Sequence, residues 1–366
     1  MGIIGKWWCA AFLGLTAVST SISQASDDEQ QMLVSDGPYI KKQDKSLTVE
    51  CVVNSEVKRF VNMTYTPSLN VENCGYPVTL SAINFIEQST LRFDTNQRIV
   101  ATSDFHGQYS LMKSILQNNG VIDNNGNWAL GKGHFVITGD IFDRGDKVTE
   151  ILWFIYHLEQ QAKAAGGYVH LLLGNHEVMI LNGDLRYLHP KYIDVARMLD
   201  TPFELLFDQG TVLGEWLRSK PVLVKINDML FAHGGFHPEL VEKKLTLETI
   251  NTTFKTNLVK RELAEPRTGL GRYLHKSNGP IWYRGLLRDN GATSAEIDLL
   301  LTHFDVKHLV VGHTSQKEVL TKHQGRVIAI DSSIKRGQYG EVLIVEGNEK
   351  WRGTPSGEKR QLIDYD

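Results

Sequence analysis

The sequence predicts an α/β fold, a sheet buried between helices with a small β-rich unit ahead of it, and three observations carry that prediction. From Arg98 onward, short apolar runs alternate with helix-like stretches, which is how a sheet covered on both faces appears in sequence. Nearly every run ends in glycine together with Asp, His, Asn or Arg. Before residue 90 the pattern differs: apolar and polar residues alternate, with turn residues between them.

At the start of the chain, Lys6 precedes an apolar run from Trp7 to Val18, and Ser23-Gln24-Ala25 closes the polar stretch after it. That layout is a secretory leader with cleavage expected after Ala25, so residues 1–25 stand apart from the fold. The run is shorter than the ~20 residues a membrane-spanning helix needs. Export would place the mature chain in the periplasm or outside the cell, free of the membrane. Cys9 leaves with the leader, whereas Cys51 and Cys74 remain where disulfides persist. Two outcomes are open for them: a single bridge, or a Cys51 that is merely a small buried hydrophobe on the face shared by Leu47, Val49 and Val53.

Residues 26–90 are expected as an N-terminal β-rich accessory unit, with strand character in Leu47 to Val53 and Val57 to Tyr65. The main domain, 91–350, has strand candidates at Ile99 to Thr102, Phe135 to Thr138, Val169 to Leu173, Met229 to Ala232, Leu309 to Val311 and Val327 to Ile330. Helices are expected from Tyr109 to Asn118, stopped by Gly120, and from Val148 to Ala165, stopped by Gly166-Gly167. Another begins at Thr293, whose Thr-x-x-Glu capping box closes through Glu296, and runs to about His303. The segments near 181–220 and 238–279 read as helical insertions able to wall a cleft, and 351–366 as a C-terminal tail.

Composition narrows the function classes. With 366 residues, 42% apolar and 22% charged, the chain is neither a membrane protein nor a disordered one. Its formal charge of −3 gives no general attraction for nucleic acid, so an anionic ligand must be drawn by a local site.

Five of the apolar runs lead into polar clusters: Ser103-Asp104-Phe105-His106-Gly107, Gly139-Asp140-Ile141-Phe142-Asp143-Arg144-Gly145, Gly174-Asn175-His176-Glu177, His233-Gly234-Gly235 and Gly312-His313-Thr314. In open α/β sheets, sites lie beyond the carboxyl ends of the strands, so these clusters are expected to converge on one edge. Carboxylates and imidazoles suit first-row divalent metals, and the glycines permit close backbone approach. Any one cluster is an ordinary turn; five in order, each directly after a buried strand pattern, are not.

The same motif order resembles the phosphoprotein phosphatase family of metallophosphoesterases over residues 98 to about 345. Leu181 to Tyr187 and Pro280 to Gly285 resemble its Shewanella-like branch. The resemblance implies a calcineurin-like metallophosphoesterase fold, a central β-sandwich flanked by helices. It implies two divalent cations drawn from Mn, Fe, Zn or Mg, with Asp104 and His106 as ligands of the first, Asp140 bridging, and Asn175, His233 and His313 as ligands of the second. It implies direct attack of a metal-bridging hydroxide on phosphorus, His176 as general acid oriented by Asp143, and Arg144 and Arg284 as clamps on phosphate oxygens. Glu177 is expected behind the ligands rather than among them.

The expected substrate is a phosphorylated protein or peptide, with phosphotyrosine favoured and Tyr187, Trp216 or Tyr283 as candidate cleft walls. The same centre would also serve a Ser/Thr phosphatase or a dinucleotide polyphosphate hydrolase. A phospho-binding or metal-storage protein is the non-enzyme alternative, and a general acid in His176 argues against it.

Overall fold

The structure is a computed structural model describing residues 33–365 apart from 44–45, 67 and 86–89, so the expected leader lies outside the described residues. Residues 33–366 form one compact unit. It opens with an antiparallel meander, β1 (Asp36–Gln43), β2 (Ser46–Val53) and β3 (Glu56–Thr64), and a short hairpin of β4 (Leu69–Val71) and β5 (Val78–Leu80). Cys51 and Cys74 are joined by a disulfide across this region, with Cα atoms 5.5 Å apart and both residues buried. Of the two outcomes open for Cys51, the bridge is the one found.

Two six-stranded sheets follow. The first contains β7 (Ile99–Thr102), β8 (His134–Ile137) and β9 (Tyr168–Leu171), all parallel, then β15 (Val342–Glu346), β16 (Glu349–Gly353) and β17 (Lys359–Gln361), in the order β17-β16-β15-β7-β8-β9. The second orders β13 (Leu320–Lys322), β14 (Val327–Ala329), β12 (His308–Val311), β11 (Met229–Ala232), β10 (Leu223–Ile226) and β6 (Arg92–Phe93). Within it β11, β12 and β14 run parallel.

The side-chain period of two explains why each run is apolar throughout. Ile99, Ala101, Val136 and Leu343 on one sheet pack with Val224, Met229, Phe231 and Val310 on the other. The alternate residues face outward: Val100, Phe135 and Ile137 join Met112 and Ile115 of α1 (Tyr109–Asn118) and Ile151 and Leu152 of α2 (Val148–Ala164) in a second core. That core also takes in Tyr39 and Ile40 of β1, and Trp153 of α2 donates its indole N–H to the Pro38 carbonyl at 2.9 Å. The N-terminal strands therefore share their packing with the main domain.

Helix limits follow local chemistry closely. The helix Ser294–Phe304 starts on the Thr293 cap with both halves of the Glu296 box formed. The two insertions are helical, as expected, with Pro190–Met198 and Val212–Arg218 in one and Leu247–Thr256 and Gly269–Leu274 in the other.

The two facing sheets are the sandwich implied by the family resemblance; an apolar run by itself records burial on both faces but not which strands cover them. One expectation needs correction. The tail expected at 351–366 instead continues the first sheet, because β16 pairs with β15 from Val342↔Gly353 to Glu346↔Glu349 and β17 pairs with β16.

Candidate metal centre

The carboxyl ends of β7, β8, β11 and β12 bring four clusters together, and the fifth opens α3 (Asn175–Leu181) just after β9. Backbone bonds lock the loops: His106 N–H donates to the Asp140 carbonyl at 3.0 Å, and Gly312 N–H to that of His233 at 2.8 Å. Gly139, at φ +108°, passes so close to Gly174 that a Cβ would stand 2.3 Å from the Gly174 nitrogen. Only glycine fits there.

The buried Glu177 carboxylate ties these loops together. It accepts the N–H groups of Gly174 at 2.7 Å, Asp140 at 2.8 Å and Ile141 at 2.7 Å. Burial and the nearby Asp140 charge raise its pKa, an effect those hydrogen bonds oppose.

Asp104, His106, Asp140, Asn175, His233 and His313 all come together, none more than 4% exposed. Asp140 is central, its Oδ2 lying 3.2 Å from His233 Nε2 and 3.5 Å from His106 Nε2. Its Oδ1 accepts the His176 N–H at 2.9 Å, at the start of α3. Asp104 Oδ2 accepts the His313 N–H at 3.0 Å, and its Oδ1 stands 3.7 Å from His106 Nε2. Asp104, His106, Asp140 and His313 adopt φ values of 56°, 44°, 60° and 60°, a left-handed conformation uncommon outside glycine that Asp and His tolerate better than most residues. The surrounding hydrogen bonds hold these four residues in it.

This donor set fits divalent cations. Nδ1 of His106 donates to the Phe142 carbonyl at 2.6 Å, which leaves the Nε2 lone pair facing two carboxylates with no hydrogen-bond partner. His233 Nδ1 likewise donates to the Thr138 carbonyl at 3.0 Å; its Nε2 faces Asn175 Oδ1 at 2.9 Å and His313 Nδ1 at 3.1 Å. Lone pairs aimed at one another in a buried space need positive charge between them. Burial lowers the His233 pKa, but the Asp140 charge prevails and raises it to about 9. Ligand atoms of Asp140, His233 and His313 lie within 4.8 Å of one another, as do those of His106, Asp140 and His176. Asp140 belongs to both groups.

His176 falls in the second of those groups by distance, yet its Nδ1 is engaged elsewhere, 2.5 Å from Asp143 Oδ2. Its Nε2 points toward Asp140 Oδ2 at 3.8 Å. Burial would lower its pKa, but the Asp140 charge and the Asp143 hydrogen bond raise it.

Arg144 is exposed, its guanidinium 5.3 Å from the centre of the Tyr187 ring, which itself lies 5.5 Å from the His176 ring. Arg284 donates to the His313 carbonyl at 2.7 Å. Trp282 packs edge-on to His313 at 5.7 Å. Tyr283 and Arg284 line a cavity of about 600 Å³ that opens beside the centre. Trp216, expected as a cleft wall, is fully buried with its indole N–H on Glu159, so it cannot touch a ligand.

One pair of residues beside the centre was missed in the sequence. Lys335 Nζ lies 4.0 Å from Asp104 Oδ1 and 3.4 Å from Asp331 Oδ2. Asp331 directly follows the Val327 to Ile330 run, a sixth polar strand end that the same rule would have found. Burial, reinforced by the Asp104 charge, raises its pKa to about 7.

A two-sheet sandwich whose strand ends hold carboxylates and imidazoles around a metal-competent space, with a His–Asp pair and two arginines at its rim, defines a metal-dependent phosphatase. The chain belongs to the calcineurin-like phosphoesterase family, whose model matches residues 97–317. Its structure is similar to that of the cold-active protein-tyrosine phosphatase of a psychrophilic Shewanella species, at 41% identity and a TM-score of 0.82 over 90% of this chain and 99% of that one. It is 32% identical to Shewanella-like protein phosphatase 1 of Plasmodium berghei over 60% of this chain and 62% of that protein. With Shewanella-like protein phosphatase 2 of Arabidopsis thaliana it shares 25% identity over 78% of this chain and 82% of the relative.

Proposed function

We propose that the protein is a protein phosphatase that hydrolyses phosphotyrosine with two divalent cations, which Asp104, His106, Asp140, Asn175, His233 and His313 would hold, Asp140 being the residue placed to serve both. The observation that carries this reading is the His176–Asp143 pair set beside the ligand cluster: a general acid has no use in a protein that only binds phosphate or stores metal. Cations held there supply Lewis-acid charge and make water nucleophilic near neutral pH.

The protein's own groups do the rest. Arg144 and Arg284 hold non-bridging phosphoryl oxygens, for which a planar guanidinium fork is well shaped. Water attacks phosphorus opposite the leaving oxygen. As the P–O bond breaks, His176 passes its Nε2 proton to that oxygen, giving phosphate and the free hydroxyl. Asp143 accepts the Nδ1–H, fixing the ring orientation and stabilising the imidazolium, the form that carries a proton on Nε2 as well. No phosphoenzyme forms.

The preference for tyrosine is supported by similarity to the Shewanella tyrosine phosphatase and by two aromatic residues near the centre, Tyr187 against the His176 ring and Tyr283 lining the adjoining cavity. An oxidising compartment, periplasmic or external, is supported by the leader-like residues 1–25 and the Cys51–Cys74 bridge.

A side-by-side assay on phosphotyrosine, phosphoserine and phosphothreonine peptides and a dinucleotide polyphosphate tests the substrate. The largest kcat/KM is expected on phosphotyrosine; a larger value on any of the others refutes the preference.

A further inference from the structure

The cavity beside the centre is shaped by more than the aromatic wall. Arg284 bridges the two spaces, donating to the His313 carbonyl at the centre while lining the cavity. Arg288 lines the same cavity and is exposed, and no described residue forms an ion pair with it. Arg284 and Arg288 both line this cavity. Two cations facing one space repel, and a fold tolerates that readily where an anion is to be bound.

The one carboxylate among the lining residues, Glu296, is committed to its helix cap, accepting the Thr293 N–H at 2.7 Å and its hydroxyl at 2.8 Å. Ser277 and Asn278 add neutral hydrogen-bonding groups. At about 600 Å³ the space is larger than one phosphate needs and suits a side chain of a bound peptide. The overall charge of −3 makes this a local basic feature on an acidic protein, so it selects rather than attracts generally.

We propose that this cavity is a specificity subsite for a second anionic group on the substrate, a carboxylate or phosphoryl side chain flanking the scissile phosphoresidue, with Arg288 as its principal partner. The proposal rests on the phosphatase function above and names the kind of peptide it acts on. Charge-assisted contacts to a guanidinium are among the stronger hydrogen bonds available, so loss of one is expected to lower apparent affinity about tenfold.

The test uses one phosphotyrosine sequence with neutral flanks, with Glu at each flanking position in turn, and with phosphoserine at those same positions. Both kcat/KM and equilibrium binding are measured, the latter with non-hydrolysable phosphonate versions of the peptides. At one or more positions the acidic peptide is expected to exceed the neutral one about tenfold. Arg288→Ala should abolish that ratio and Arg288→Glu should invert it in favour of a Lys-flanked peptide. Comparison of the Glu and phosphoserine peptides tells which anion is taken. An acidic-to-neutral ratio of one in the native protein, or a ratio that Arg288→Ala leaves intact, overturns the subsite. Turnover of p-nitrophenyl phosphate, which has no flanks, reports the catalytic centre separately. If it is absent, the phosphatase function fails, while the binding ratios still decide the subsite.

Discussion

His176 Nδ1 stands 2.5 Å from Asp143 Oδ2, while its other nitrogen faces the central carboxylate of Asp140 at 3.8 Å. Both residues are buried, so the Asp143 contact fixes the imidazole plane and turns Nε2 toward the centre. The dependence of rate on the leaving group should reveal that arrangement.

Replacing His176 with Asn is expected to cut turnover of alkyl phosphates about 10²- to 10⁴-fold and of nitrophenyl phosphate much less, because a weakly basic leaving group does not need protonation. Metal content, measured by elemental analysis, should hold. Equal losses on both substrates would remove His176 from the role of acid.

Asp143→Asn tests the positioning half of the pair. An amide can no longer favour the imidazolium, so the same leaving-group trend should appear in milder form, with ligand binding by Asp140 and His233 preserved. A variant with native rates on both substrate classes would show that the contact is structural only.

The bridge between Cys51 and Cys74 closes a loop of sequence separation 23. Constraint of the unfolded chain by such a loop is worth about 3 kcal/mol. A variant carrying Ser at both positions should therefore unfold at lower urea concentration by a corresponding amount. An unchanged midpoint would mean that the N-terminal strands are held by their packing on α2 alone.

Acid sensitivity has a separate source in the stacked imidazoles of His134 and His170, 2.9 Å apart between Nδ1 and Nε2. Burial lowers their pKa values to about 4 and about 3, whereas unfolded histidine titrates near 6.5. Below about 6.5 the unfolded chain binds protons that the native chain refuses, so stability rises with pH in that window and is lost as pH falls toward 4. The urea midpoint should drop between about pH 7 and about pH 5, and the drop should be smaller in His170→Leu. The same drop in both proteins would exclude the pair as its cause.

Much of this was legible in the sequence, for identifiable reasons. The convergence of the candidate ligands was readable because each follows a run whose burial on both faces marks a strand end, and because five such clusters occur in order although any one alone is an ordinary turn. The Thr293 cap was readable because its partner, Glu296, lies within one helical turn. The facing of two sheets was not, since β7 and β11 are each fully apolar and nothing in either segment says which sheet it joins. The left-handed backbone at His106 and His313 was equally hidden: it is imposed by contacts such as Asp104 Oδ2 with the His313 N–H, 209 residues apart in sequence. Lys335 and Arg288 escaped because a lone cation has no local signature. Trp216 misled because an aromatic residue in an insertion reads the same whether it lines a cleft or fills a core.

The most direct test of the central claim is phosphate release from a phosphotyrosine peptide by chelator-stripped protein as Mn²⁺ is titrated in, with bound metal and thermal unfolding followed on the same samples. Turnover should be absent in the stripped protein and return as cation binds, and the unfolding temperature should rise with occupancy, because cations relieve the repulsion among Asp104, Asp140 and the facing imidazoles. Turnover that survives complete stripping, or that stays absent with two cations bound per chain, would contradict it.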